Sequence, residues 1–300
     1  MIVGCHEPVR NRYMQKWFPT RNESAAIVMG MGGKPESLLD LDMVREDQVT
    51  TIKRFSGGGT VVLDFDSIWV TIIGRPNDLV DQQYPRPIME WTAQSIYKPM
   101  FAQLGALQQQ QRSRQRHRPQ PQSTMVLDTK SCAAENTGRV IRIPGDGIPL
   151  GEEHAIPTFS LRENDYILGE RKVGGNAQSI GKAGWLHHTS FLWDYQQENM
   201  DYLTLPSKRP DYRRDRRHED FLIKIGDAYP DLSKTDFFST IKEITSQQFD
   251  TESIPATDAI SIVNDNGGFD DWFSNQSRNK VLEFEQEPSI DETRQLYTQE

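Results

Sequence analysis

The chain has 300 residues, a formal net charge of −9, 36% hydrophobic residues and a mean hydropathy of −0.67, which suits one large domain with a sizeable part of the chain outside its core. The negative charge argues against a nucleic-acid-binding protein that relies on general electrostatics, and no apolar run is long enough to predict a membrane span. Two distant cysteines argue against a disulfide framework or a metal cluster, so we expect a soluble intracellular protein, mitochondrial or cytoplasmic.

The first predicted elements alternate with glycine-rich loops. Residues 25–30 form an apolar run that ends in glycine and predicts a buried strand, and residues 35–47 have the apolar spacing of a short amphipathic helix. A cluster at Gly57–Gly59 lies between two apolar runs and predicts a strand–turn–strand unit. Arg54 and Ser56 precede it, and backbone amides beside an arginine suit phosphate or carboxylate oxygens. A plain hairpin with a flexible tip is the alternative.

The middle of the chain changes composition sharply. The apolar residues of 88–107 recur at helical spacing and predict a helix that covers a sheet. Residues 108–124 then consist almost entirely of Gln, Arg, Ser, Pro and His. We therefore predict a low-complexity insertion over residues 107–157 that is mostly disordered. Its arginines leave an RNA-binding arm as the alternative to a solvated loop.

The second half of the chain is organised around Lys172. This lysine stands just before Gly174-Gly175-Asn176-Ala177, which predicts a tight turn, and the apolar runs 166–168 and 191–193 predict strands on either side. Lys172 is either a fixed positive charge at this turn or a solvated lysine at a hairpin end. Because Arg54 and Lys172 each precede a glycine cluster, the two clusters offer two sides of one anion site.

The C-terminal third is strongly charged. Residues 208–217 carry six cations, which can line the approach of an acidic partner or of pyrophosphate, or can simply begin an exposed charged helix. Residues 237–249 have helical spacing and predict a helix. The sequence beyond it is acidic and polar, and we predict a weakly ordered tail over residues 250–300.

Four motifs, in this order along the chain, resemble the lipoate-protein ligase A family. They are R-F-S-G-G-G-T-V-V-L-D at 54–64, R-E-N-D-Y at 162–166, R-K-V-G-G-N-A-Q at 171–178 and H-H-T-S-F-L at 187–192. The resemblance covers about residues 25–248 without the insertion, and is closest to the eukaryotic branch with its P-x-Y-R-x-x-R-x-H segment. It implies an α/β (α+β) fold in which a mixed β-sheet is flanked by helices, like biotin/lipoate protein ligases and class II aminoacyl-tRNA synthetases. The implied catalytic domain spans residues 23–249.

The resemblance also implies a two-step reaction. In the first step the carboxylate of lipoate attacks the α-phosphate of ATP with Mg2+ present, and in the second a carrier lysine attacks the acyl-adenylate to form an amide. The implied substrates are ATP with Mg2+ and lipoate, octanoate or preformed lipoyl-AMP. The implied partner is the lipoyl-carrier domain of a 2-oxoacid dehydrogenase or a glycine-cleavage H-type protein. No nucleic acid or membrane partner is expected.

Carried over position by position, the resemblance makes Lys172 the catalytic residue, in contact with the lipoate carboxyl and the phosphate. Its positive charge would stabilise the negative charge that develops during the reaction. The implied substrate- and nucleotide-binding residues are Arg54, Ser56, Gly57, Gly58, Gly59, Thr60, Val61, Val62, Asp165, Gly174, Gly175, Asn176, Ala177 and His188. Asp165 has an implied supporting or metal-linked role. No set of protein metal ligands is predicted, because Mg2+ on a nucleotide is held largely by phosphate oxygens and water.

The sequence departs from the family pattern in places that leave other functions open. Residues 1–22 lack the usual L-x-L-E-E helix, Leu63 stands where a histidine is usual, and the acidic tail does not look like the accessory domain of bacterial ligases. A transferase that accepts an already activated acyl group and a degenerate, non-catalytic member are therefore alternatives. An octanoyltransferase is disfavoured, because residues 164–195 contain no cysteine for a thioester.

Overall fold

The structure is a computed structural model that describes residues 2–6, 25–116, 155–206, 209–265, 267–268 and 280–284. Its strands, in chain order, are β1 (Ile2–His6), β2 (Ala25–Met29), β3 (Thr50–Lys53), β4 (Val61–Asp64), β5 (Ser67–Gly74), β6 (Phe159–Arg162), β7 (Asp165–Leu168), β8 (Arg171–Gly181), β9 (Gly184–Leu192) and β10 (Lys280–Leu282). Its α-helices are α1 (Pro35–Leu38), α2 (Leu41–Glu46), α3 (Pro85–Thr92), α4 (Lys98–Arg116), α5 (His218–Phe221), α6 (Ile225–Ala228), α7 (Lys234–Gln248) and α8 (Ala256–Asp265). A π-helical stretch (Ala93–Tyr97) joins α3 to α4, and 3-10 helices span Gln197–Tyr202 and Asp211–Arg213.

The strands divide into a large sheet and a small sheet. The large sheet has the order β1-β5-β9-β8-β7-β6, and all its neighbouring strands are antiparallel. The small sheet has the order β10-β3-β2-β4 and is mixed, because β2 runs parallel to β3 and antiparallel to β4. The predicted α/β (α+β) class is therefore confirmed, with the strands shared between two sheets.

The main hydrophobic core lies between one face of the large sheet and the helices α3, α4 and α7. Buried residues recur at every second position of β5, so Ile68 and Ile72 face this core. The ring of Tyr97 lies 5.0 Å from that of Tyr166 and 4.9 Å from that of Phe191, both edge to face. Such an aromatic pair contributes about 0.5–1.5 kcal/mol beyond the burial of its surface.

The helix predicted over residues 35–47 is divided into α1 and α2. The break occurs at Leu39, which forms an isolated β-bridge with Leu203 and is buried in the core of the small sheet. Asp40 then begins α2, because its carboxylate accepts a hydrogen bond from the Met43 N–H at 3.1 Å. A tertiary contact therefore interrupts a segment whose apolar spacing is continuous.

The first residues of the predicted insertion are helical. Helix α4 continues to Arg116, and Gln108, which the prediction assigned to the insertion, is fully buried. Its side-chain amide donates to Asp231 at 2.5 Å, and Arg112 forms an ion pair with the same carboxylate at 3.2 Å. Gln and Arg are good helix formers, so low complexity does not end a helix that has such partners. Residues 117–154 lie outside the described residues.

The segment predicted as a weakly ordered tail, residues 250–300, contains regular structure where it is described. It includes α8 and β10, and β10 pairs with β3 at the edge of the small sheet. The boundary of the catalytic domain at residue 249 stays a prediction. Across the described part of the chain, no helix has the length and apolar character needed to cross a membrane.

The turn predicted at Gly174–Ala177 is wrong, because these residues continue strand β8. The chain turns later, between the paired residues Gly181 and Gly184. Gly174 is needed for close packing instead, since the ring of Phe191 covers its Cα. The cluster at 57–59 is not a hairpin tip either, because β2 lies between β3 and β4 in the small sheet.

Candidate functional site

The glycine loop, residues 54–60, brings the small sheet against the large sheet. Gly58 has a φ of +105°, which favours glycine. A Cβ on Gly58 would lie 2.9 Å from the carbonyl oxygen of Asn176 and 3.4 Å from the Cα of Ala177, both in β8. On its other side, the Gly58 carbonyl fills the space that a side chain on Gly30 would need. The two glycine clusters found in the sequence are therefore in direct backbone contact.

Arg54 shapes this loop through its guanidinium. Its Nη1 donates to the Val28 carbonyl at 3.2 Å, and its Nη2 donates to the carbonyls of Gly57 at 3.0 Å and Gly59 at 2.7 Å. Burial lowers the pKa of Arg54 to about 10, so it remains charged at neutral pH. In this structure Arg54 therefore fixes the loop conformation, and its predicted contact with a nucleotide phosphate stays a prediction.

The other residues of the glycine loop and of β4 that were predicted to bind the nucleotide differ in their exposure. Gly57 and Gly59 are exposed, while Thr60 and Val61 are partly buried. Ser56 is buried, and its carbonyl accepts a hydrogen bond from the Met31 N–H at 3.0 Å. The side chain of Val62 packs in the core of the small sheet.

Lys172 lies in β8 beside an irregularity in its pairing with β7, where the register shifts by one residue. Such a bulge re-aims a side chain. The Nζ atom of Lys172 is 2.7 Å from Oδ1 of Asp165, and the lysine side chain is 24% exposed. A Cβ on Gly175 would lie 3.7 Å from the same Nζ. An ammonium has three N–H donors, so the ion pair leaves hydrogen-bonding capacity for a substrate oxygen.

Tyr212 is a site residue that the sequence prediction missed. Its hydroxyl donates to Oδ2 of Asp165 at 2.8 Å, while Oδ1 of the same carboxylate is paired with Lys172. Burial, followed by the charge of Asp165, raises the pKa of Tyr212, so its hydroxyl stays protonated. The P-x-Y-R-x-x-R-x-H segment contains this tyrosine, and that segment was the available signal.

The two adjacent histidines face opposite sides of the large sheet. His187 is fully buried, with its Nε2 2.9 Å from the Tyr166 hydroxyl, and its pKa is lowered to about 3 by burial and then by the charge of His188. His188 is partly buried on the face away from the helices, where its Nδ1 is 2.7 Å from Oγ1 of Thr71. His188 is therefore on the same side of β9 as Ser190, which pairs with Gly175.

Asn176 and Ala177 are the residues of β8 whose backbone lies against Gly58. The side-chain amide of Asn176 donates to the Asn164 carbonyl at 2.7 Å, which ties β8 to the turn that precedes Asp165. Ala177 is buried and pairs with His188 on β9. The predicted residues of the second cluster thus lie within one hydrogen-bonded strand pair.

Positive charge accumulates around the lysine. Arg213 is only 6% exposed, and burial followed by the charge of Arg209 lowers its pKa. His218 has its pKa lowered to about 4 by burial, then by Arg213, with a smaller effect from Lys172. His218 is therefore neutral at physiological pH, and the cations at this site are Lys172 and the arginines. No group of three or more His, Cys, Asp or Glu suited to a metal occurs among the described residues.

Comparisons with known proteins identify the family of the chain. Residues 17–243 match the profile of the lipoyl protein ligase A/B catalytic domain. The chain is 28% identical over 220 residues to the inactive lipoate–protein ligase 2 of Plasmodium falciparum (isolate 3D7). The match covers 68% of this chain and 48% of that relative, so the chain spans about half of the relative's length.

The solved structures that are similar to this one include two ligases from one organism. One is a putative lipoate protein ligase from T. acidophilum with bound lipoic acid, with a TM-score of 0.45, 16% identity, and coverage of 75% of this chain and 68% of that one. The other is a bi-partite lipoate protein ligase from Thermoplasma acidophilum studied with its E2 lipoyl domain, with a TM-score of 0.46, 15% identity, and coverage of 77% and 72%. The profile matches well over half of the present sequence, and the chain belongs to the lipoyl protein ligase A/B catalytic domain family.

Proposed function

We propose that this chain forms an amide between lipoate, or octanoate, and a lysine of a lipoyl-carrier domain, using an acyl-adenylate. The observation that carries the proposal is the ammonium of Lys172, which is held by Asp165 at 2.7 Å beside the glycine-lined backbone of β8. Gly175 has no side chain, and a Cβ there would lie 3.7 Å from the Lys172 ammonium, so an acyl phosphate can approach the main chain closely at this point. The proposed carrier belongs to a 2-oxoacid dehydrogenase or is a glycine-cleavage H-type protein.

In the amide-forming step, the uncharged carrier amine attacks the acyl carbon of the adenylate. A C–N bond forms, the bond between the acyl carbon and the phosphate oxygen breaks, AMP leaves, and the amine loses one proton to water. Negative charge develops on the acyl oxygen and on the departing phosphate. The fixed positive charge of Lys172 stabilises both, and because it is oriented before the reaction it needs little reorganisation.

In the proposed first step, the lipoate carboxylate attacks the α-phosphate of ATP and pyrophosphate leaves. In this proposal Lys172 binds an oxygen of either reactant, and backbone N–H groups of the loop that Arg54 fixes bind phosphate oxygens. Bound Mg2+ would neutralise the triphosphate and be held by phosphate oxygens and water. If this first step does not occur here, the chain is a transferase that accepts preformed lipoyl-AMP.

A non-catalytic member of the family is the second candidate function. The relative from Plasmodium falciparum is named as inactive, and it shares 28% identity with this chain. Such a protein would bind an acyl-adenylate or a carrier domain without forming the amide. The retention of Lys172, Arg54 and both glycine clusters favours the catalytic function, because these are the residues to which the family resemblance assigns the reaction.

The function can be tested by the mass of a purified lipoyl-carrier domain after incubation with this protein. One reaction contains lipoate, ATP and Mg2+, and the other contains preformed lipoyl-adenylate. Modification in both reactions identifies a ligase, and modification with the adenylate alone identifies a transferase. Lys172→Ala should abolish either activity, and Lys172→Arg tests whether charge without the same geometry suffices. An unmodified carrier in both reactions, with the protein folded, would contradict the catalytic proposal and favour the binding protein.

A further inference from the structure

We infer that residues 209–223, here called the clamp segment, position the ammonium of Lys172 through the hydrogen bond between Tyr212 and Asp165. This inference rests on the proposed function, because it assigns a role in that reaction to the P-x-Y-R-x-x-R-x-H motif. Tyr212 is a positioning residue, since its hydroxyl contacts Asp165 and not the lysine itself.

The carboxylate of Asp165 is engaged on both sides. Oδ1 is 2.7 Å from Nζ of Lys172, and Oδ2 accepts from the Tyr212 hydroxyl at 2.8 Å. Asp165 is only 7% exposed, so water offers little competition for either oxygen. A carboxylate held at both oxygens has little rotational freedom. The tyrosine therefore restricts the direction from which Asp165 holds the lysine.

Tyr212 is itself fixed by the turn that carries Asp165. The carboxylate of Glu163 accepts hydrogen bonds from the N–H groups of Asp211 at 3.3 Å and Tyr212 at 3.2 Å. The guanidinium of Arg162 lies 4.9 Å from the centre of the Tyr212 ring. The start of the clamp segment is thus bound to residues two and three positions before Asp165.

The end of the clamp segment is bound to the main chain of Lys172. The Ile223 N–H donates to the Lys172 carbonyl at 2.9 Å, and Leu222 forms a parallel bridge with Lys172. Between the two ends, the rings of Tyr212 and Phe221 lie 5.3 Å apart in a small core. One segment therefore holds both the backbone of Lys172 and, through Asp165, its side chain.

The clamp also preserves the positive charge that the site needs. Pairing with Asp165 weakens the attraction between the charge of Lys172 and a bound phosphate. Arg213, the next residue after Tyr212, is buried, and burial followed by the charge of Arg209 lowers its pKa, while the charge of Asp165 opposes this decrease. The segment therefore supplies a second cation along with the tyrosine that orients the first.

The clamp is tested by Tyr212→Phe, which removes only the hydroxyl. Tyr202→Phe is the matched control, because Tyr202 is also buried, in the core of the small sheet, and its hydroxyl donates to Asp47 at 2.7 Å. With preformed lipoyl-adenylate, we expect Tyr212→Phe to lower kcat roughly tenfold or more while KM for the carrier domain stays within about twofold, since misorientation affects the reacting geometry. Tyr202→Phe should leave both constants near those of the wild type.

A second measurement does not depend on catalysis. Acetylation of Lys172 by an amine-reactive reagent, followed by mass spectrometry against the other lysines, reports how firmly Asp165 holds the amine. The rate at Lys172 should rise in Tyr212→Phe and in Asp165→Asn, and not in Tyr202→Phe. An unchanged rate in folded Tyr212→Phe would overturn the clamp. A raised rate in a protein that modifies no carrier would support the clamp while refuting the proposed function.

Discussion

The ring of Phe191 occupies the space in which Gly174 would carry a side chain. A Cβ on Gly174 would lie 2.9 Å from Cδ1 of Phe191 and 3.3 Å from the Ser190 carbonyl oxygen. Phe191 is fully buried in the main core, so it cannot swing away without leaving a cavity. The next glycine has a different environment, because a Cβ on Gly175 would meet Lys172 and Ser190 at 3.7 Å, an ordinary contact distance.

Alanine at these two adjacent glycines should therefore have different effects. Gly174→Ala forces a clash with a buried ring, and we expect it to lower the free energy of unfolding by about 1–3 kcal/mol. Gly175→Ala should keep nearly the wild-type stability, because its methyl group finds room. Urea unfolding of both variants measures the difference. Equal stabilities would mean that Phe191 does not pack on Gly174 as described.

A second pair of alanine variants tests the contact between the glycine loop and β8. In Gly58→Ala the methyl group would lie 2.8 Å from Nη2 of Arg54 and 2.9 Å from the Asn176 carbonyl oxygen, at a φ of +105°. We expect a loss of acyl transfer and a decrease in stability of about 1–3 kcal/mol, because the loop must shift away from β8. The measurements are the carrier mass shift and thermal unfolding.

Gly57→Ala is the control for this experiment. No heavy atom lies within 4 Å of the position of its Cβ, and its φ is not positive. Its stability should therefore stay close to that of the wild type. If Gly57→Ala and Gly58→Ala were equally stable, the close approach of Gly58 to Asn176 would lose its support.

The strand predicted at 166–168 lies within β7, and the one predicted at 191–193 overlaps only the end of β9, while the turn predicted at Gly174–Ala177 is wrong. Aromatic-rich apolar runs indicate both strands, although all four residues of β7 are buried and only β9 alternates between buried and partly buried positions. Adjacent glycines allow either a turn or a close approach of another chain segment, and the local sequence does not distinguish the two. The packing of Phe191 on Gly174 decides between them, and this partner is known only once the strands are paired.

In the site, too, the residues that are close in sequence were predicted, and the one that is distant in sequence was not. The family motifs contain Lys172 and Asp165, which are separated by a short stretch of chain and form an ion pair in the structure. Tyr212 lies 47 residues beyond Asp165 in the chain and donates a hydrogen bond to it. The arginines next to Tyr212 predicted a charged surface and gave the tyrosine no role. A tyrosine among arginines gives no local sign that its hydroxyl is directed at a carboxylate.

The extension of helix α4 into the Gln-rich segment gives a third prediction. Gln108 is fully buried, and its amide group bonds with both the side chain and the N–H of Asp231. Asp231→Ala removes the carboxylate and leaves this buried amide without its acceptor, so we expect a loss of about 1–3 kcal/mol in the free energy of unfolding. Gln110→Ala, at an exposed position of the same helix, should change stability little. Equal stability of the two variants in urea would contradict the ordered extension.

The buried histidine of β9 predicts a stability that depends on pH. The pKa of His187 is lowered to about 3 in the folded chain, whereas an unfolded histidine has a pKa of about 6.5. Between these values the unfolded state binds the proton and the folded state does not, so stability falls as the pH falls. The expected slope from His187 is about 1.4 kcal/mol for each pH unit within this window. Above pH 6.5 or so neither state is protonated, and His187 adds no pH dependence there.

His187→Gln tests this prediction, because glutamine can hydrogen-bond to Tyr166 but cannot be protonated. At pH 7 the variant should be less stable than the wild type, since it repacks a site filled by an imidazole. The difference in stability between the two proteins should shrink steadily as the pH is lowered to 4.5, because only the wild type takes up a proton at this position when it unfolds. Urea unfolding at pH 7.0, 5.5 and 4.5 gives the difference directly, and subtracting the two proteins removes the contribution of the shared carboxylates. A constant difference across this range would show that His187 titrates normally in the folded chain.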